Sequence, residues 1–127
     1  MLEYSNKQES QVSKPSFDMP IYELQAEISK TLAHPLRIAI LHYIRDGEKT
    51  VNDLTQTFGA SQSNISQHLA LLRQRQIVKT RKEGSTVNYR VASPKISQAC
   101  DMIREVLTEQ LAQKQEIAKN YASKELT

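Results

Sequence analysis

The sequence predicts a mainly α-helical domain of about five helices with one β-hairpin. Apolar residues recur every three or four positions along most of the chain, which is typical of helices with one apolar face. Residues 77–91 instead alternate in polarity and are rich in β-branched residues, which indicates two short strands. At 127 residues, the chain is long enough for one domain with a modest core.

The first two helices are predicted from apolar spacing and from prolines near their starts. Pro20 is tolerated in a first helical turn, and the apolar residues after it predict a helix over about residues 19–32. Pro35 begins a second helix that is apolar nearly all round, so we expect that helix to be buried. Gly47 is expected to adopt the left-handed conformation that ends it.

Two short helices joined by a tight turn follow. Thr50 is predicted to cap the third helix, and Asp53 adds favourable charge to its first turn. Gly59 is expected to end that helix, and Ser61 to cap a fourth helix over about residues 62–75. Two helices separated by a tight glycine-containing turn form a helix-turn-helix pattern.

A hairpin and a long helix complete the predicted domain. Gly84 supplies the positive φ that a tight hairpin turn needs, so the segment "KEGS" is expected at its tip. Pro94 opens the last helix, whose apolar stripe continues for about four turns, and the polar chain beyond Ile117 is expected to fray. The predicted organisation is a mobile arm at residues 1–16, the folded domain at 17–119 and a polar tail at 120–127.

The fourth helix carries a polar face of unusual composition. Surface helices commonly carry Glu and Lys there, whereas this face is almost entirely Ser, Gln and Asn, and no acid occurs between Asp53 and Glu83. Base edges in the major groove present both donors and acceptors, which amide side chains match, whereas carboxylates would repel phosphate. The candidate base-contacting residues are Gln62, Ser63, Asn64, Ser66 and Gln67.

The positive charge of the chain is concentrated around this helix. The net charge is +3, but residues 60–92 contain six Lys or Arg residues and one Glu, so this segment carries +5 and the rest carries −2. A localised basic segment favours an anionic partner. A helix-turn-helix followed by a basic hairpin therefore predicts a winged helix on double-stranded operator DNA. The candidate phosphate contacts are Arg73, Arg81, Lys82 and Arg90.

Three segments of the chain resemble the ArsR/SmtB family of dimeric winged-helix repressors: "LAHPLRIAILHYI", "SQSNISQHLALLRQRQIV" and "RKEGSTVNYRV". The resemblance covers Leu32 to about Val91, close to half the chain. It implies a homodimer built on the first and last helices, and release of DNA by an inducer, often a metal ion. The residues expected at the dimer interface are Ile21, Leu24, Ile28, Ile96, Ala99, Cys100, Ile103 and Leu107.

The chain departs from this family at both familiar metal sites. Where members with a site on the third helix have two thiolates before an Asp-Leu pair, this chain has Thr50 and Asn52 before Asp53 and Leu54. The other familiar site needs a histidine on the last helix, and no histidine follows His68. Borderline and soft metals require clustered Cys or His ligands. We therefore expect no metal site and no cofactor.

The single cysteine, Cys100, has two interpretations. It is either inert packing in the apolar stripe of the last helix or a redox-sensitive thiol near the dimer two-fold, with Arg104 one turn away. Three alternatives for the inducer therefore stay open: a redox agent, a small organic molecule, or no inducer at all. His68 is expected to be a structural, hydrogen-bonded histidine, because it lies on the core side of its helix.

Three classes of function were compared. A sequence-specific DNA-binding regulator, acting as a homodimeric repressor, fits the polar face and basic hairpin best. The alternative is a winged helix that binds proteins without binding DNA, which the acid-free face argues against. An enzyme is not expected, because the sequence has no glycine-rich phosphate loop and no carboxylate pair beside a histidine. A lone cysteine and the lack of a signal-like or membrane-spanning apolar run indicate a cytoplasmic protein with no membrane partner.

Overall fold

The computed structural model describes residues 19–126, so the predicted arm at residues 1–16 lies outside the described residues. The fold is mainly α with a small antiparallel sheet, which confirms the predicted class. In chain order the elements are α1 (Met19–Leu32), α2 (Pro35–Tyr43), β1 (Lys49–Thr50), α3 (Val51–Phe58), α4 (Gln62–Gln74), β2 (Val78–Glu83), β3 (Thr86–Val91) and α5 (Pro94–Leu126).

The sheet has three strands in the order β1-β3-β2, all antiparallel. Strands β2 and β3 form the predicted hairpin, with Val78 opposite Val91 and Glu83 opposite Thr86. Strand β1 is not predicted by the sequence, because a strand of two residues has no detectable alternation. This strand pairs with β3 and joins the chain before α3 to the hairpin.

The hydrophobic core lies between α2, α3, α4 and the start of β2. Each large side chain fully buried there contributes about 1.5–3 kcal/mol relative to exposure. Helix α4 supplies three of these side chains from one side. Their burial fixes the orientation of α4, so the opposite side of this helix faces solvent. The buried hydrophobic residues are Ile40, Leu41, Ile44, Leu54, Ile65, Leu69, Leu72, Ile77 and Val78.

Side-chain caps begin both α3 and α4, and Gly59 ends α3, as predicted. The Thr50 hydroxyl accepts a hydrogen bond from the Asp53 amide at 3.1 Å, and the Asp53 carboxylate accepts one from the Thr50 amide at 2.9 Å. Gly59 ends α3 in the left-handed conformation at φ 63°. The Ser61 hydroxyl caps α4 by accepting from the Asn64 amide at 3.1 Å. These caps fix the start of α4 within a short turn.

Two predictions about α2 were wrong. Gly47 does not end the helix in a left-handed conformation, because α2 ends at Tyr43 and Gly47 has no positive φ. The helix is also not buried all round: Ile40 and Leu41 are buried, whereas Ile38 is exposed on the side towards α5. An apolar pattern alone does not distinguish burial in a monomer's core from a surface that a partner covers.

The left-handed residue that the sequence analysis did not predict is Gln76, at φ 60°. It follows the C-cap of α4, where the Gln76 amide donates to the Arg73 carbonyl and the Ile77 amide to the Leu72 carbonyl, both at 2.9 Å. This is the Schellman arrangement, in which glycine is usual. The turn reverses the chain from α4 directly into β2.

A polar link joins the end of α1 and the start of α2 to the middle of α4. The Arg37 guanidinium donates to His68 Nδ1 at 3.1 Å and to the Thr31 carbonyl at 2.8 Å. The His34 ring stacks at a tilt on the His68 ring, with centroids 4.4 Å apart, and His34 Nδ1 accepts from the Leu36 amide at 3.2 Å. His68 is thus a buried, hydrogen-bonded structural histidine, as predicted.

An ionic cluster holds α5 against the end of α2. The Asp101 carboxylate accepts hydrogen bonds from Arg45 and, at 2.9 Å, from Arg104. These two guanidinium groups, Arg45 first, lower the pKa of Asp101 to about 2. The helix itself continues to Leu126, so the expected fraying beyond Ile117 is not found.

The buried histidine makes stability depend on pH. Burial lowers the pKa of His68 below its usual 6.5, and the nearby charges of His34 and Arg37 act in the same direction. As pH falls through about 6.5, the unfolded chain therefore takes up this proton first, and stability is lost as pH falls further towards the lowered pKa of the folded state.

We expect His68→Gln to flatten the pH dependence of the free energy of unfolding as pH falls below about 6.5. The introduced glutamine side chain retains an acceptor for Arg37 but does not titrate. Urea denaturation at a series of pH values measures the effect. Gln98→Ala, at an exposed position of α5, is the control and should keep the wild-type slope. An unchanged slope in the His68 variant would contradict the assignment.

Candidate nucleic-acid interface

The polar face of α4 is fully available to a partner. Its opposite side is locked into the core by Ile65, His68, Leu69 and Leu72. Rotation of the helix about its axis would expose these buried side chains, so the orientation of the polar face is determined by the core. The side chains that this leaves exposed include all five predicted base contacts, Gln62, Ser63, Asn64, Ser66 and Gln67.

The first two turns of α4 combine neutral side chains with a favourable helix end. The N-terminus of a helix carries partial positive charge and attracts anions such as phosphate. The first turn of α4 contains no acid, and its exposed amide and hydroxyl groups both donate and accept hydrogen bonds. The short serine side chains permit close approach of another surface. The arrangement suits hydrogen bonding to base edges beside a phosphate backbone.

The basic residues of the hairpin lie on two faces of the sheet. Lys79 is opposite Arg90, and Arg81 is opposite Asn88, so these side chains share one face. The other face carries the buried Val78 and packs on the core. Lys82 belongs to the same face as Val78, but it lies next to the hairpin turn and is exposed there. The hairpin therefore presents cations both along its outer face and at its tip.

Arg81 has a partner that the sequence analysis did not foresee. Its Nε and Nη2 atoms donate to the Glu48 carboxylate at 2.8–3.1 Å, and Glu83 lies 3.6 Å from Nη2. The hydrogen bond to Arg81 is the main reason that the pKa of Glu48 is lowered and that of Arg81 raised. The two residues are 33 positions apart, and only the pairing of β1 with β3 brings them together.

The cations around α4 are therefore not equivalent. Arg75 is paired with Glu27 of α1 at 3.0 Å, and Arg81 is paired with Glu48. Within residues 19–123, where side chains are described, no ion pair involves Arg73, Lys79, Lys82 or Arg90. Phosphate contacts by these four residues require no ion pair to be broken. Arg81 would share its guanidinium between Glu48 and a phosphate.

The residues predicted at the dimer interface form an exposed apolar surface on α1 and α5. Ile96 differs, because it packs against the core of its own domain. Cys100 is half-buried beside a groove between α1, α2 and α5, and the guanidinium of Arg104 is engaged by Asp101. The large apolar side chains exposed on this surface are Ile21, Leu24, Ile28, Ile103 and Leu107.

The described part of the chain has neither a cluster of metal ligands nor a membrane-spanning helix. Over residues 19–126, no three His, Cys, Asp or Glu side chains group so that they would hold a metal ion. None of the helices in the same range combines the length and apolar character needed to cross a bilayer.

Known proteins share both the sequence and the fold. Residues 34–80 match the model of the arsR family of bacterial regulatory proteins. The chain is 38% identical over 94 residues to Rv0081, an uncharacterized HTH-type transcriptional regulator of Mycobacterium tuberculosis, covering 73% of this chain and 82% of that protein. The chain belongs to the ArsR family. Like the relatives so named, this ArsR-family member is a DNA-binding transcriptional regulator.

Solved structures of ArsR-family relatives superimpose on most of the described fold. The crystal structure of Rv0081 matches with a TM-score of 0.69 over 75% of this chain and 96% of that chain. HlyU of Vibrio cholerae, named a transcriptional activator, matches at 33% identity with a TM-score of 0.62 over 67% and 92% of the two chains. The transcriptional repressor BigR of Xylella fastidiosa matches at 32% identity with a TM-score of 0.62 over 67% and 87%.

We expect Gln67→Ala to weaken binding to the operator by roughly 1–3 kcal/mol, because Gln67 is exposed in the second turn of α4 and its amide matches a base edge. Binding to random duplex DNA should change far less. Competition titrations with both DNAs measure the difference. Gln98→Ala, at an exposed position of α5, is the control. Equal losses on operator and random DNA would assign Gln67 to phosphate and contradict base contact.

Proposed function

We propose that this regulator is a homodimeric, cytoplasmic repressor that recognises a partly palindromic operator through the exposed face of α4. The observation that carries the proposal is the combination of a core-locked side and an acid-free, amide- and hydroxyl-rich side on one helix. The first two turns of α4 would enter the major groove. The hairpin cations Lys79, Lys82 and Arg90 would contact phosphate and supply affinity independent of sequence.

The homodimer is supported by the apolar surface on α1 and α5. Exposed apolar side chains that form a contiguous patch mark an interaction surface. A two-fold axis through such a patch presents two α4 helices to one side of a duplex, which matches a palindromic site. Cys100 lies at the edge of this surface, so it remains the candidate group for a redox signal.

The salt dependence of binding tests the role of the hairpin. Each phosphate neutralised by a cation contributes about 0.9 to the slope of log K against log salt concentration. Lys82 forms no ion pair within the described residues, so its ammonium group is free to contact phosphate. Lys82→Gln should therefore reduce the slope by about 0.9 for each subunit whose Lys82 contacts a phosphate. Lys95→Gln, at an exposed position of α5, should leave the slope unchanged. An unaltered slope in the Lys82 variant would place the hairpin tip away from DNA.

The dimer is tested by a charge at the centre of the apolar surface. Ile103→Asp should yield a monomer at micromolar concentration, because a carboxylate there would have to be desolvated without a partner. Sedimentation of the protein and footprinting on a two-half-site operator measure both consequences. Gln98→Asp adds the same charge to the same helix outside the stripe and should remain dimeric. A wild-type protein that sediments as a monomer and occupies a single half-site would refute the homodimer.

A further inference from the structure

An acidic side chain lies among the cations of the hairpin. Glu48 immediately precedes β1, and its carboxylate reaches the outer face of the sheet, which also carries Lys79, Arg81 and Arg90. Phosphate repels carboxylates, so an acid on a face that is proposed to contact DNA opposes the attraction that the cations supply. Glu48 therefore lowers the affinity for DNA unless its contacts favour the complex in another way.

The hydrogen bonds of Glu48 all go to one guanidinium group. Arg81 Nε donates to both carboxylate oxygens at 3.1 Å, and Arg81 Nη2 donates to Oε1 at 2.8 Å. A guanidinium is planar, so holding two of its nitrogens fixes the direction of the third. The hydrogen bond from Arg81 is the main cause that lowers the pKa of Glu48, and the charges of Arg81 and Arg90 act in the same direction. The carboxylate is therefore ionised at neutral pH.

The pair leaves one nitrogen of Arg81 available to a ligand. Within residues 19–123, where side chains are described, Arg81 Nη1 makes no hydrogen bond. The side chain of Glu48 is 27% exposed and that of Arg81 is 51% exposed, so the acid is the more buried partner. Glu83 is 72% exposed and approaches Arg81 Nη2 only to 3.6 Å, so it restrains the guanidinium less. Glu48 thus sets the direction in which Arg81 presents Nη1.

We propose that Glu48 is a specificity-determining residue of the DNA complex and acts by positioning Arg81. The inference rests on the proposed contact between the hairpin and DNA. In the operator complex, base contacts fix α4 in the groove, so Nη1 of Arg81 meets one phosphate in a defined place while Glu48 keeps the other two nitrogens. On random DNA no base contact fixes the register, and Glu48 then contributes mainly repulsion. Glu48 therefore widens the difference in affinity between operator and random DNA.

The two kinds of complex differ in what they require of a cation. Binding to random DNA is essentially electrostatic, and a mobile cation serves any phosphate within reach. Lys79, Lys82 and Arg90 form no ion pair within residues 19–123, so they supply attraction on either DNA. A guanidinium held in one direction contributes only when the protein is correctly placed. Holding it beforehand also reduces the side-chain entropy that is lost on binding. The Glu48–Arg81 pair therefore favours the operator complex.

Glu48→Gln tests the proposal, because it removes the charge and keeps the length of the side chain. The operator duplex is selected from random sequences with the wild-type protein, and an unselected duplex of equal length serves as random DNA. The variant should bind random DNA about fivefold more tightly, whereas its affinity for the operator should change less than about twofold. Its salt slope on random DNA should steepen by about 0.9 for each subunit whose released Arg81 neutralises a phosphate.

The matched control for the change of charge is Asp46→Asn. It removes the same charge two residues earlier, from an exposed carboxylate that forms no ion pair within residues 19–123. This variant should shift the affinities for operator and random DNA alike. Urea denaturation of both variants should give nearly the wild-type midpoint, because exposed ion pairs contribute little to stability.

Two further variants separate positioning from charge. In an Arg81→Gln background, Glu48→Gln should leave the ratio of random to operator dissociation constants nearly unchanged, because no guanidinium remains to be positioned. Glu48→Asp keeps the charge but shortens the side chain by one methylene, so it should weaken operator binding without strengthening binding to random DNA. A loss of discrimination that persists undiminished in the Arg81→Gln background would overturn the positioning role.

The remaining outcomes distinguish this inference from the proposed function. Equal tightening of Glu48→Gln on both DNAs would overturn the inference, because Glu48 would then lower affinity without adding specificity. Unchanged binding on both DNAs, together with the expected loss of slope in Lys82→Gln, would overturn the role of Glu48 and leave the hairpin on DNA. Unaltered slopes in both variants would overturn the contact between the hairpin and DNA itself.

Discussion

Burial of one side of α4 is the constraint on which the rest of the molecule depends. Ile65, Leu69 and Leu72 are fully buried, and His68 is held by Arg37 from α2. A helix anchored in this way has one orientation, and its opposite side must face solvent. The caps at Ser61 and Gln76 then fix where the helix starts and how the chain returns into the hairpin. The orientation of the proposed DNA-binding surface is therefore a consequence of core packing.

The charges around this helix are arranged by tertiary contacts that modify the simple picture of a basic patch. Glu48 and Glu27 each neutralise one cation, Arg81 and Arg75 respectively. Both acids precede α4 in the chain, and both of the arginines that they pair with follow it. Arg75 and Arg81 therefore add less net positive charge around α4, and the ion pairs restrain both side chains. In the proposed complex with DNA, these pairs would weaken the sequence-independent attraction to phosphate relative to contacts that depend on base identity.

Local patterns in the sequence were sufficient to predict most elements. The bounds of α1, the caps at Thr50 and Ser61, the left-handed Gly59 and Gly84 and the hairpin each depend on residues within a few positions of one another. Some of what was missed is local, namely the left-handed Gln76 and the end of α2 at Tyr43, and the rest depends on distant residues. The strand β1 exists only because β3 lies beside it, and the Glu48–Arg81 pair exists only because of β1. The apolar residues of α2 and α5 were predicted to be buried. The sequence does not show whether the same domain or a partner covers such a face.

The proposed function requires that the exposed face of α4 contacts DNA while its core side stays packed. Titration of isotope-labelled protein with operator duplex, followed by amide chemical shifts, tests it most directly. We expect the largest changes to fall on residues 61–67 and on the hairpin turn around Gly84, with α1 little affected. Changes concentrated on α1 and α5, with α4 unperturbed at saturating DNA, would contradict it.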